Sequence, residues 1–279
     1  MKNVLIPTDF SENSWNAIKY ALNFFRKSTT NFYILHINSL GNLIGTETPY
    51  ISTQEDIEEA FTKPSQKKLE DIKNRIEHLP INTKHHFFTL TDYNFFIESI
   101  RNNVDEKKID CIVMGTKGAS GLKKIIIGSN TGDVITKVKC TTLVVPENAE
   151  YEVPKEIAFP TDFSFFYPTE TLAPITEIAK VHHAAVRILH VNKRNVELNQ
   201  DQLHNKQNLE DYFNGFEHSF HFLTNKHIED AVQCFVESRD IDIIAMVAKN
   251  LNYFQKILLS PTVKEIGYHT DVPFLVLHE

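Results

Sequence analysis

Short apolar runs alternate with amphipathic stretches from the first residues of the chain onward. Asn3-Val-Leu-Ile6 reads as a strand, closed by Pro7-Thr-Asp-Phe-Ser11. Ser11 can cap the helix that follows, where Ala17, Ile18, Ala21, Leu22 and Phe25 form one apolar stripe. A second strand is predicted over Asn31–Asn38. Residues 39–52, with Gly41, Gly45 and Pro49, lack periodicity and read as a loop. A charged helix is predicted over Thr53–His78 with a break near Pro64, then a strand around Thr83–Leu90 and a helix around Asp92–Val104. The run Ile109–Gly115 is apolar on both faces, as a parallel strand in a covered sheet must be. Val134, Ile135 and Val138 mark another helix, and Thr141–Pro146 a last strand. Strands alternating with helices predict an α/β fold around an open parallel sheet with helices on both faces.

The pattern then begins again. Glu156–Ser164 repeats Asn3–Ser11 and shares Pro-Thr-Asp-Phe-Ser in full. Ile188-Leu-His-Val-Asn192 repeats Ile34-Leu-His-Ile-Asn38, and Ile241-Asp-Ile-Ile-Ala-Met246 repeats Ile109-Asp-Cys-Ile-Val-Met114. Leu275-Val-Leu277 repeats Leu143-Val-Val145. Four matches in order imply two homologous domains, residues 1–148 and 154–279, each long enough to bury a core.

Composition narrows the classes. A net charge of −7 with no basic block argues against nucleic acid and anionic membrane surfaces as partners. No apolar run approaches bilayer length. Pro7 and Asp9 interrupt the first apolar run early, so no signal peptide is expected. Cys111, Cys140 and Cys234 have no Cys-x-x-Cys spacing, which fits buried thiols in a reducing cytoplasm.

The candidate chemistry gathers after the Ile109–Gly115 strand. Gly115 and Gly118 are followed, nine residues on, by Gly128 and Ser129 at the start of a helix. Glycines let main chain approach a ligand closely, and the free N–H groups and dipole of a helix start favour anions. In an open parallel sheet, ligands sit beyond the carboxyl ends of the strands where strand order reverses. With strands one and four adjacent, Pro7-Thr-Asp9 and Gly115–Gly118 face each other across one crevice. A phosphate suits the glycine side. Asp9 suits ribose hydroxyls, a base amine or a metal, unless it only begins the helix turn with Ser11.

Other signals are weaker. The thirteen histidines include His85-His86, His182-His183 and His218-Ser-Phe-His221, none with carboxylate or cysteine partners at ligand spacing; solvated or edge-strand roles are expected. His36 and His190 recur at one position of both repeats, as satisfied core or crevice-edge residues would. Lys117, Lys123 and Lys124 either screen phosphate charge or are simply solvated.

The chain resembles the universal stress protein family in its tandem form. The resemblance rests on Pro7-Thr-Asp-Phe-Ser11, the Leu35-His-Ile37 strand end, Met114-Gly115-x-x-Gly118 with Gly128-Ser129, and Leu143-Val-Val-Pro146. It implies a Rossmann-like sheet of order 3-2-1-4-5 and an ATP site. Asp9 would lie beside adenosine, with Pro7 and Thr8 lining the same crevice and Ile37 and Met114 flanking adenine and ribose. Gly115 and Gly118 would admit ribose and phosphates, while Gly128, Ser129 and Asn130 donate to the β- and γ-phosphates. A divalent cation, Mg2+ or Mn2+, would be held through the phosphates. The resemblance also implies a regulator rather than an efficient enzyme, and pairing through the last strands, made within one tandem chain or in a homodimer. Thr141 stands where the family often has proline.

The second repeat departs from the pattern. Val247, Asn250, Ser260 and Pro261 replace Gly115, Gly118, Gly128 and Ser129, so ATP is expected in the first repeat alone although Asp162 persists. Asn250 can still take a left-handed turn, which leaves room for a different ligand there. No Gly-x-x-x-x-Gly-Lys-Ser/Thr loop is present, so hydrolysis is expected to be slow. Two alternatives stand: a nucleotide-free scaffold, and an adenine-nucleotide α-hydrolase-type enzyme. The latter needs a Ser-Gly-Gly-x-Asp-Ser type of loop where Pro7–Ser11 stands.

Overall fold

In the computed structural model, which describes residues 1–38, 62–80, 82–116, 128–192, 197–249 and 271–279, the first apolar run is strand β1 (Lys2–Pro7). Its Val4, Leu5 and Ile6 are fully buried. Helix α1 (Glu12–Phe24) buries Ala17, Ile18, Ala21 and Leu22, and Phe25 is its C-cap. β2 (Thr30–Asn38) lies parallel to β1, with Pro7 opposite Leu35. Helix α2 (Lys63–Glu77) carries Pro64 in its first turn, where a missing N–H costs nothing. The predicted loop over residues 39–52 and the helix portion over residues 53–61 lie outside the described residues.

β3 (His85–Tyr93) and α3 (Phe96–Lys107) differ from expectation at their junction. Asp92 is a strand residue, paired with Ile37, and does not start the helix. Its carboxylate serves α3 from outside, accepting hydrogen bonds from Ser99 Oγ and, at 2.8 Å, from Asn103 Nδ2. A strand side chain thus does for α3 what a helix cap does elsewhere, and the strand runs on to Tyr93. β4 (Cys111–Gly115) pairs with β1, placing Val4 opposite Cys111. Leu5, Leu35, Ile112 and Met114 pack on one face of this sheet against Ile100 of α3 and Val134 of α4 (Ser129–Lys137).

The described residues form two compact units, one ending at Cys140 and the other running from Thr141 to Glu279. In the first, the strand order is β3-β2-β1-β4. The second contains β5 (Thr142–Val145), β6 (Glu156–Pro160), β7 (Ala185–Asn192), β8 (His218–Thr224), β9 (Ile243–Val247) and β10 (Phe274–Leu277). Its order β8-β7-β6-β9-β10 is the expected 3-2-1-4-5 arrangement in full. β5, the last strand of the first repeat, lies antiparallel to β10, so the final strands of the two repeats pair.

The repeats are not copies in every element. Ser164 does not open a helix as Ser11 does; α5 (Thr169–His182) begins later, with Pro168 as its N-cap. Proline keeps the residue before it, Tyr167, out of the helical region, so no helix runs through Ser164–Tyr167 and the first turn is lost. α6 (Gln200–Phe213) opens with a capping box between Asn199 and Gln202, and α7 (Ile228–Ser238) packs on β7. No helix among the described residues is long and apolar enough to cross a membrane. Cys111, Cys140 and Cys234 are free thiols, and burial pushes the Cys140 thiol up to about 12, so it stays protonated and unreactive.

Candidate functional site

Beyond the carboxyl ends of β1 and β4 the first unit opens into a crevice of about 240 Å³. Its walls hold Pro7, Thr8 and Asp9 from the end of β1, Ile37 from β2, Met114 and Gly115 from β4, and Gly128, Ser129 and Asn130 from the start of α4. These are the sequence-selected residues apart from Gly118, which lies outside the described residues with Lys117, Lys123 and Lys124. The crevice also has walls that were not among the expected ligand-binding residues: Ser14, Leu35, His36, Phe96 and Thr131. His36 was legible as a histidine recurring in both repeats. Phe96 carried no signal beyond its place at a helix start.

The Thr8–Ser11 turn is built by its own side chains. Thr8 Oγ1 accepts from Phe10 N at 3.1 Å and lies 2.9 Å from Ser14 Oγ, and Phe10 takes a left-handed φ of 66°. Asp9 Oδ1 accepts from Ser11 N at 3.1 Å and from Ser11 Oγ at 2.5 Å, and Ser11 Oγ caps α1 by accepting from Ser14 N at 3.2 Å. Asp9 therefore begins the helix turn, and it also stands exposed in the crevice wall. His36 Nδ1–H donates to the Thr8 carbonyl at 2.8 Å, and its ring lies 4.2 Å from that of Phe10. Lys68 Nζ of α2 sits 5.1 Å from the Phe10 ring centroid.

At the α4 side of the crevice lining, Gly128 is the N-cap of that helix with φ −56° and ψ 152°, a conformation open to any residue. Backbone strain does not explain that glycine. Thr131 Oγ1 donates to the Gly115 carbonyl at 2.8 Å, tying α4 to the end of β4, and Gly128 N donates to Thr116 O at 2.6 Å. Ser129 and Asn130, the first two helical residues, are exposed. Gly115 has a reason of its own: a Cβ there would meet the Asn13 amide group at 2.7–2.9 Å. Among the described residues no group of three or more His, Cys, Asp and Glu is placed to hold a metal ion by itself.

Matching the chain to protein-family models returns the universal stress protein family over residues 1–146. The chain belongs to that family. Among curated relatives, the universal stress protein MJ0531 of Methanocaldococcus jannaschii is 30% identical over 144 residues, spanning 52% of this chain and 81% of that protein. MJ0577 of the same organism is 26% identical over 156 residues, 52% of this chain and 94% of that protein. The crystal structure of a universal stress protein from Archaeoglobus fulgidus matches with a TM-score of 0.70 at 20% identity, over 98% of this chain and 97% of that one. That likeness extends the fold of the universal stress proteins across both repeats.

The second repeat of this universal stress protein keeps the turn and alters its surroundings. Phe163 has φ 57°, Ser164 N donates to Asp162 Oδ1 at 3.0 Å, and His190 Nδ1–H donates to Thr161 O at 3.0 Å. Tyr167 occupies the position of Ser14, its hydroxyl 3.1 Å from Thr161 Oγ1 and its ring against Phe159. Phe222, opposite His190 in the ladder where Thr91 stands opposite His36, lies 5.8 Å from the histidine ring. His190 is accordingly buried, whereas His36 lines an open wall. Gln202 and Asn205 of α6 donate to the carbonyls of Asp162 and Phe163, each at 2.8 Å, and lock the turn from above. Val247 is buried at the end of β9; Asn250, Ser260 and Pro261 lie outside the described residues.

The histidines follow the expected solvated or edge-strand roles in part: His85 and His86 lie on edge strand β3, His218 and His221 on edge strand β8, and His86 and His183 are exposed. His85 and His182 are both buried, His85 with its ring 5.0 Å from Phe32. Burial lowers the pKa of His36, His85 and His221 below the ordinary 6.5; Lys68 adds to the effect at His36, His86 at His85, and Arg239 and Arg187 at His221. Each of these side chains holds its proton less well folded than unfolded. Their contribution to stability is therefore complete above the unfolded value and falls as pH drops through 6.5 toward the lower folded values. The thermal midpoint is expected to be lower at about pH 5.5 than at about pH 7.5, and the drop to shrink in a His85→Leu variant. A profile that is flat, or unaltered by that substitution, would contradict the assignment.

Proposed function

We propose that the first repeat binds ATP, with a divalent cation held through the phosphates, and that the chain works as a nucleotide-responsive regulatory protein. The observation that carries this reading is the crevice of the first unit. Its walls bring together a carboxylate (Asp9), apolar side chains (Ile37, Met114) and the exposed first residues of α4. The free N–H groups of a helix start suit a polyanion, a carboxylate suits ribose hydroxyls or an exocyclic amine, and Ile37 and Met114 suit the faces of a base. Membership of the universal stress protein family and the Gly115/Gly118/Gly128-Ser129 spacing support the same ligand. Three free thiols fit a reducing cytoplasm, although only Cys111 and Cys140 are buried as expected and Cys234 is exposed.

The role of the second repeat follows by contrast. Tyr167 and Phe222 bring aromatic rings to where the first repeat has Ser14 and Thr91, and Val247 adds a branched side chain at the crevice end of β9. We expect no ATP there.

The test is stoichiometric. Protein purified without added nucleotide and then denatured should release ATP, identified by mass spectrometry, with no more than one bound per chain after saturation. Trp15, the one tryptophan, sits on α1 next to the crevice residue Ser14 and is nearly buried, so its fluorescence gives a direct titration signal. Release of AMP would favour α-hydrolase-type chemistry. Failure to bind added ATP with Mg2+ or Mn2+ would leave the scaffold reading.

A further inference from the structure

We propose that Arg101 is a positioning residue for the anion-facing end of α4, fastening that helix from the end opposite the crevice. The proposal rests on the ATP reading and identifies what holds the phosphate side of the site in place. Arg101 lies on α3, away from the crevice walls. Its Nε and Nη2 both donate to the carbonyl oxygen of Lys137, at 3.1 and 2.7 Å. Lys137 is the last residue of α4, and Ser129 is the first. The guanidinium thus places two N–H groups and a positive charge on the terminal carbonyl of the helix whose other end meets the crevice. Terminal carbonyls have no partner within a helix, and a cation there complements its dipole. The fork converging on one oxygen fixes direction as well as charge.

α3 is itself anchored, because Asp92 of β3 accepts from Ser99 and Asn103 on that helix. Asp92 is in register with Ile37, which lines the crevice. One connected set of groups therefore runs from β3 through α3 to the back of α4. At the front, Thr131 ties α4 to Gly115. The helix is held at both ends, and its first turn is fixed relative to β4.

The second repeat supplies an internal control. In the register that aligns Ile109-Asp110 with Ile241-Asp242, Arg101 corresponds to Gln233, Ser99 to Ala231 and Asn103 to Phe235. Gln233 donates to Glu237 of its own helix, and Phe235 and Ala231 are buried apolar residues. The three side chains on α3 that make the brace are thus all replaced in the repeat that also lacks the glycines. A general requirement for folding this α/β unit would have kept them in both.

The experiment compares the unmodified chain with Arg101→Ala and Arg101→Lys, titrating Mg-ATP and adenosine by Trp15 fluorescence. Arg101→Ala should weaken ATP about 5-fold or more and leave adenosine unchanged; Arg101→Lys, which keeps the charge without the fork, should recover part of the loss. Amide exchange in the nucleotide-free chain gives a second measurement: the Gly132 N–H, bonded to Gly128 O at 2.9 Å, should exchange faster in Arg101→Ala. Equal weakening of ATP and adenosine, or a lowered melting point with both affinities and Gly132 exchange unaltered, would reduce Arg101 to an ordinary helix cap and overturn the proposal. An unmodified chain that binds adenosine and ATP equally would overturn the phosphate reading, and this inference with it.

Discussion

Replacing Gly115 with Val is expected to abolish retention of ATP and to destabilise the first repeat by about 1–3 kcal/mol. The two effects have separate causes. A Cβ at Gly115 would lie 2.7 Å from Asn13 Oδ1, 2.8 Å from Cγ and 2.9 Å from Nδ2, all closer than real side chains approach. Asn13 is 7% exposed and cannot swing aside without disturbing α1, so the strain falls on the packing between α1 and β4. Independently, the two methyl groups of Val would stand in the crevice wall where Gly115 now leaves space. Adding Asn13→Ala removes all three clashing atoms. The double variant should recover most of the stability, measured by urea denaturation, and none of the ATP binding. Recovery of both would mean that Gly115 serves only Asn13. The second repeat has already made a related exchange: Val247 stands in the place of Gly115, and Phe166, at the position of Asn13, is 59% exposed.

What the sequence disclosed was carried by periodicity and repetition. Strands apolar on both faces, such as Ile112-Val113-Met114, announce a covered parallel sheet, and the repeated Pro-Thr-Asp-Phe-Ser places both turns at equivalent strand ends. The ladder bears the alignment out: Val4 pairs with Cys111 as Ile157 pairs with Ile243, which makes Met246 the counterpart of Met114 and Val247 that of Gly115. Asp9 could not be assigned in advance between crevice and cap. It takes part in both, because the turn that satisfies Ser11 also leaves the carboxylate exposed.

What remained hidden depends on contacts distant in sequence. Nothing local marks Asp92 as the anchor of α3, since an acidic residue before a helical pattern is read as a first-turn residue. Gly115 reads from the sequence as a ligand-site glycine, and its close approach to the Asn13 amide shows a packing reason for it that requires knowing where Asn13 lies. Ser14, Phe96 and Thr131 reach the crevice through the placement of three different helices, and no spacing rule joins them. The later start of α5 was written in Pro168, but only a comparison of the two repeats gives that proline its consequence: the capped turn at Ser11 has no counterpart at Ser164.

The sharpest separation of site from scaffold comes from a residue the second repeat has already exchanged. Ser129→Pro, which copies the Pro261 of that repeat, is expected to weaken ATP about 10- to 100-fold while leaving the melting temperature unchanged or slightly raised. Ser129 is the first residue of α4, where proline is favoured because its N–H has no partner within the helix and its fixed φ suits the helical start. The residue before it is already compatible, since Gly128 at φ −56° and ψ 152° occupies the extended region that proline demands of its predecessor. The fold loses little. A polyanion at this end of the helix loses one main-chain donor and the Ser129 hydroxyl together, and a hydrogen bond to a charged group contributes about 1.5–3 kcal/mol. Calorimetric titration of Mg-ATP against both proteins measures the difference, and adenosine titrated alongside should bind both alike. Undiminished ATP affinity in a folded Ser129→Pro protein would place the triphosphate elsewhere and remove the first turn of α4 from the site.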